Sequence, residues 1–171
     1  MKIKLEPKIL KMPLEDILKS ALRDAKDPKS RIFFAIAYFQ YINKLSVNKA
    51  IILFKRYILT DEQRVTYTFS VYLSKNGTLI TKYIEIPVKI DNFLVQYIPE
   101  IKNHKDLVSK IDKNTYLQFI KRHLKINASD ITVYVIYKMI KDIGIYNFIA
   151  FKEHWALFSR RLIPYLLKNK I

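Results

Sequence analysis

Three histidines, His104, His123 and His154, are the only imidazoles in the chain. None stands at the His-x-x-x-His spacing that sets two rings on one helix face for a metal, so each reads as a partly exposed side chain on a basic helix. The acidic pairs Glu15-Asp16 and Asp61-Glu62 are adjacent in sequence. Two-metal hydrolysis needs carboxylates converging from separate elements, whereas acids at a helix start already complement its dipole. With no cysteine, disulfides, thiolate zinc sites, cysteine-held iron–sulfur clusters and a cysteine nucleophile are excluded together, which fits a reducing interior or a hot one. The two glycines, Gly77 and Gly144, lie in no Gly-rich phosphate loop, which excludes Walker and dinucleotide-binding folds. These residues predict no active site, no metal and no cofactor.

Binding chemistry is better supplied. The chain carries 31 Lys and Arg against 15 Asp and Glu, a formal charge of +16. Residues 1–56 hold 13 cations against five acids, residues 57–100 four against five, and residues 101–171 14 against five. Such an excess repels itself unless a polyanion relieves it, so the expected partner is DNA or RNA. Lys55-Arg56 (with Lys49 on the same helix), Lys121-Arg122 with Lys125, and Arg160-Arg161 each sit beside a strongly apolar helix face. They must therefore point away from the core. Tyr72 and Tyr83 are a second candidate: exposed rings beside positive charge can stack unpaired bases. The competing expectation is that a helix covers them.

Half the residues are apolar, with 12 Tyr and 10 Phe, and 171 residues can bury a real core, so a single domain over 1–171 is expected rather than a basic tail. No stretch reaches the length of a membrane span or a signal peptide's apolar centre, and a cytoplasmic protein is expected. The richness in Ile, Lys, Tyr and Asn suggests an AT-rich genome, archaeal or viral.

Helical spacing predicts helices over 14–26, ended by Asp27-Pro28, over 30–43 with apolar residues almost all round, and over 47–58 after a Ser46 cap. The period then changes. RVTYTFSVYL alternates apolar and polar, and Asn76-Gly77 supplies a two-residue turn. Setting Lys75 opposite Thr78 pairs Leu73 with Ile80, Phe69 with Ile84 and Tyr67 with Ile86, so the apolar sets coincide; only Lys82, opposite Val71, breaks the pattern. Tyr72 and Tyr83 then lie diagonally. Helices return over 104–111, over 115–124 with Asn114 as cap, from Asn127 or Ser129 to Ile143 closed by Gly144, and over about 147–168 with Pro164 as a kink. The expected fold is mainly α (α+β), helical with one antiparallel hairpin near 64–86.

The stretch from Pro13 to Ile58 resembles the helical start of the C-terminal domain of archaeal and eukaryotic primase large subunits. The shared layout is a short helix (Leu14 to Lys26), a proline loop with Pro28, Lys29 and Arg31, a helix with Ala35, Ala37 and Tyr38, and Leu45-Ser46 before Ala50, Ile51, Leu53 and Phe54. Related bundles follow the catalytic core in some plasmid primases, and ordinary helix pairs share the pattern. Those large subunits hold an iron–sulfur cluster through cysteines, one at about the place of Pro13. Lacking any, this chain is more similar to the cluster-less, non-catalytic accessory primase subunit of some archaea. The resemblance implies binding of template or initiating nucleotide beside a catalytic partner such as a primase small or large subunit, with Lys29 and Arg31 as phosphate contacts.

The sequence thus points to a nucleic-acid-binding accessory protein of DNA replication. Two alternatives stay open: a small nuclease or strand-transfer enzyme using Tyr165 or Asp61-Glu62, and a basic virion or nucleoid protein coating DNA.

Overall fold

Asp27-Pro28 starts a helix rather than only ending one. In the computed structural model, which describes residues 8–62, 64–75, 78–143 and 150–151, α1 (Leu14–Asp24) stops three residues earlier and α2 (Pro28–Asn43) begins at the proline. Side chains are described except at 8, 69–84, 139–140, 142–143 and 150–151. The Asp27 carboxylate accepts from Ser30 N (3.0 Å) and from the Ser30 hydroxyl (2.7 Å). Proline costs nothing at the first helical position, where its missing N–H would be unpaired anyway.

Every residue from Ile32 to Gln40 in α2 is buried, the signature of a helix enclosed on all sides. Around it pack α1, α3 (Val47–Leu59), α7 (Lys113–Leu124) and α8 (Ala128–Ile143). Gln40, the polar member of the run, is fully matched. Its Nε2 donates to Ala128 O (2.9 Å) and Thr132 Oγ1 (3.0 Å), and its Oε1 accepts from Tyr116 OH (2.7 Å). Thr132 Oγ1 in turn donates to Leu45 O (2.7 Å). One amide therefore fixes α2, α7 and α8 against one another.

Between α3 and α7 the chain forms β1 (Thr66–Lys75), β2 (Thr78–Pro87) and three short helices, α4 (Asn92–Val95), α5 (Ile98–Lys102) and α6 (Lys105–Ser109). The hairpin register is the expected one: Leu73 faces Ile80, Phe69 faces Ile84, Tyr67 faces Ile86 and Val71 faces Lys82. A short third strand, β3 (Ala150–Phe151), pairs with the other edge of β1. The hairpin is anchored at its base, where Asn43 exchanges hydrogen bonds with Lys89 (Nδ2 to O 3.0 Å, N to Oδ1 2.6 Å) and Tyr67 OH donates to Asn43 O (3.1 Å).

Two corrections concern α4, α5 and α7. Helix resumes at Asn92, capped by Asp91 through Leu94 N (2.8 Å). Asp112, not Asn114, caps α7, accepting from Thr115 N and Oγ1 at 2.7 Å each. A carboxylate one position before the helix reaches the third N–H, whereas Asn114 already lies inside. Both α2 and α7 end on a lysine with left-handed backbone, Lys44 (φ 55) and Lys125 (φ 59). The Asn76-Gly77 turn and the Gly144 stop lie outside the described residues. The helix expected over 147–168 is corrected at Ala150–Phe151, which are extended and hydrogen-bond to the other edge of β1 as β3; the rest of that stretch, with His154, Arg160, Arg161 and Tyr165, lies outside the described residues. No helix among the described residues is long and apolar enough to cross a membrane.

Candidate nucleic-acid interface

α7, like α3, carries three Lys and Arg and no acid, and it has a defined seat. Tyr116 and Ile120 are fully buried against the core, which turns Lys121, Arg122 and Lys125 outward, all three exposed. None of the three pairs with a carboxylate among the described residues. The stretch 102–125 holds seven Lys and Arg against Asp106 and Asp112. Asp112 serves as the α7 cap, and the Thr115 backbone N–H and hydroxyl hold its carboxyl below the usual range. Asp27 is held low in the same way by Ser30. Both carboxylates are thus engaged chiefly by cap hydrogen bonds, with smaller charge contributions from Lys55 at Asp112 and from His123 at Asp27.

The other expected contacts are less available. Arg31 is turned inward: its guanidinium pairs with Glu100 and donates to Ala25 O, and its Nε is buried without a partner among the described residues. The expectation of a phosphate contact there is corrected, because a cation already desolvated and paired gains little from a second anion. Arg56 faces Glu62 at 3.0 Å, an exposed pair whose charges cancel locally. Lys55 Nζ donates to Ser109 O (3.2 Å), and Lys49 Nζ to Thr68 O (3.1 Å). Lys29 is exposed and stands across a cleft of about 170 Å³ from Lys110; Ile32, Phe33, Leu107, Ile111 and Thr115 complete its walls. Tyr72 and Tyr83 hold the expected diagonal register, opposite Thr81 and Ser70; their side chains lie outside the described residues.

The residue that sequence reasoning passed over is His123. Its ring lies 4.1 Å from Phe119, which stacks on Phe33 (4.4 Å, 16°) and so connects to buried Tyr116 (6.4 Å, 15°). Phe34 meets the imidazole edge-on (6.2 Å, 84°). The available signal was the i, i+4 spacing of Phe119 and His123 inside a basic run.

The remaining candidates for chemistry have structural roles or stand apart. Glu15 pairs with Lys19 at 3.8 Å within α1, Glu62 is held by Arg56, and His104 precedes α6. Among the described residues no three His, Asp or Glu side chains gather closely enough to hold a metal. Comparison with protein-family models, curated proteins and solved structures finds no match.

Proposed function

We propose that this chain is an intracellular, single-domain, non-catalytic protein that binds nucleic acid through the basic end of α7, and that it assists a catalytic partner in a primase-type complex. The observation that carries the binding claim is Lys121, Arg122 and Lys125: three exposed cations with no described carboxylate partner, on a helix seated by buried Tyr116 and Ile120. Unpaired cations gain by releasing the counterions condensed on a phosphate backbone. Lys29 extends the same chemistry, whereas Arg31 does not. The accessory role in priming is supported by the resemblance over Pro13 to Ile58. Several residues that carry it, Ala35, Ala37, Tyr38, Ala50, Leu53 and Phe54, are buried.

Fluorescence anisotropy across a salt series tests the binding claim. The logarithm of affinity should fall linearly with log salt, and Lys121→Ala with Arg122→Ala should reduce the slope by about 1.4–1.8, the contribution of two phosphate contacts. An affinity unchanged between about 50 and 200 mM salt would refute the electrostatic mechanism. The accessory role is tested separately by purification from the native host, where a polymerase-like catalytic subunit should co-elute.

A further inference from the structure

We infer that the exposed imidazole of His123 is a stacking platform for one unpaired base of a single-stranded nucleic acid, with a flanking phosphate held by the adjacent Arg122. The inference rests on the nucleic-acid reading above and assigns it a specific contact. An exposed histidine on a helix is commonplace; this one is restrained. Phe119 packs against it at 4.1 Å with the rings tilted by 39°, and Phe34 meets it at 84° and 6.2 Å. The rings continue inward through Phe33 to fully buried Tyr116. A ring already fixed by two neighbours loses little rotational freedom when a base settles on it, and this is where pre-organisation raises affinity.

One neighbouring cation fits the same ligand. Arg122 is the preceding residue and is exposed, whereas Lys121, two positions back, points about 160° round the helix from His123. A base on the ring brings its own phosphates to within reach of a side chain as long as arginine, and stacking on aromatic rings tolerates any base because each has a π face. Two other described hollows suit a nucleobase less well. The cleft between Lys29 and Lys110 encloses about 170 Å³, below the roughly 300 Å³ at which small-molecule pockets begin. The larger hollow over Lys102–Leu107 carries Asp106 in its wall, a carboxylate that repels phosphate. Duplex DNA offers no free base face along its length, so the platform selects single strands or frayed ends.

The test uses the full chain with a labelled oligothymidylate of about 12 nucleotides, a duplex of equal length, and an abasic strand of equal length. His123→Ala should weaken binding to the single strand by about fivefold or more and leave duplex and abasic strand unchanged. His123→Phe should restore it, because a ring is retained without the imidazole's proton chemistry. It also preserves the packing on Phe119, should His123→Ala compromise folding. The salt slope should be the same in both His123 variants and in the parent, since the stacked ring neutralises no phosphate. Equal losses on all three nucleic acids, or failure of His123→Phe to restore binding, would make His123 an ordinary polar contact and overturn the platform. If Arg122→Ala weakens binding while His123→Ala changes nothing, the platform falls and the nucleic-acid reading stands. If the parent chain binds none of the three at low salt, both fall.

Discussion

Tyr116→Phe should destabilise the protein by about 1–3 kcal/mol, because it removes one hydroxyl and strands one buried acceptor. Tyr116 and Gln40 are both fully buried, and the 2.7 Å bond from the phenol is what satisfies Gln40 Oε1. Phenylalanine keeps the ring, and with it the contact to Phe33 at 6.4 Å, so little packing is lost. Gln40→Leu is more severe. It leaves the Tyr116 hydroxyl without its acceptor and removes the donor to Thr132 Oγ1 and Ala128 O, a loss on the order of 2–5 kcal/mol. Because both single variants break the same bond, the double variant should cost less than their sum, by roughly 1 kcal/mol or more. Urea unfolding followed by circular dichroism measures each value, and at this chain length 1 kcal/mol corresponds to about 2–4 °C in melting temperature. A Tyr116→Phe protein within about 0.5 kcal/mol of the parent, or strict additivity in the double variant, would show that the amide does not hold α2, α7 and α8 together.

Stability should also fall in alkali. Burial raises the phenols of Tyr38 and Tyr116, and that of Tyr41 is pushed up to about 12 from its ordinary 10.0. The folded state therefore keeps protons that the unfolded chain releases; this stabilisation is complete below pH 10 and is lost as pH rises towards 12 and beyond. Ultraviolet titration of the phenols against melting temperature checks the order, and coincident ionisation of all phenols near pH 10 in the folded protein would contradict it. Lys125→Gly should raise stability by about 0.5–1 kcal/mol, since glycine takes left-handed backbone without a Cβ clash, yet weaken nucleic-acid binding. Unchanged binding would remove Lys125 from the interface.

The elements that were legible in sequence are those whose signal is local. Alternation from Val65 to Leu73 and the Asn76-Gly77 dipeptide fix every pair of the hairpin, because a one-residue slip would turn the apolar set outward. Ser46 caps α3 as expected, with Lys49 N as its donor at 3.4 Å. Asp27-Pro28 misleads because the same dipeptide that bars one helix from continuing caps and opens the next. The helices α4 and α5, of four and five residues, are too short to show a period. Tertiary partners also escape sequence reading. Arg31 meets Glu100 across 69 residues, and the rings that restrain His123 include Phe34, 89 positions earlier in the chain.

That distinction decides how much of the charge of +16 can serve binding. A cation such as Arg31, committed to Glu100 and Ala25, adds to the formal total but little to the surface field. Lys121, Arg122 and Lys125 add to both, and their helix is seated from beneath by Tyr116. Support and surface should therefore separate in experiment. Tyr116→Phe should lower the melting temperature and leave the salt slope of the folded protein intact, whereas Arg122→Ala should lower the slope by about 0.7–0.9 and leave melting nearly unchanged. Should Arg122→Ala unfold the protein instead, its guanidinium would belong to the architecture, as that of Arg31 does. The interface would then have to lie elsewhere on the chain.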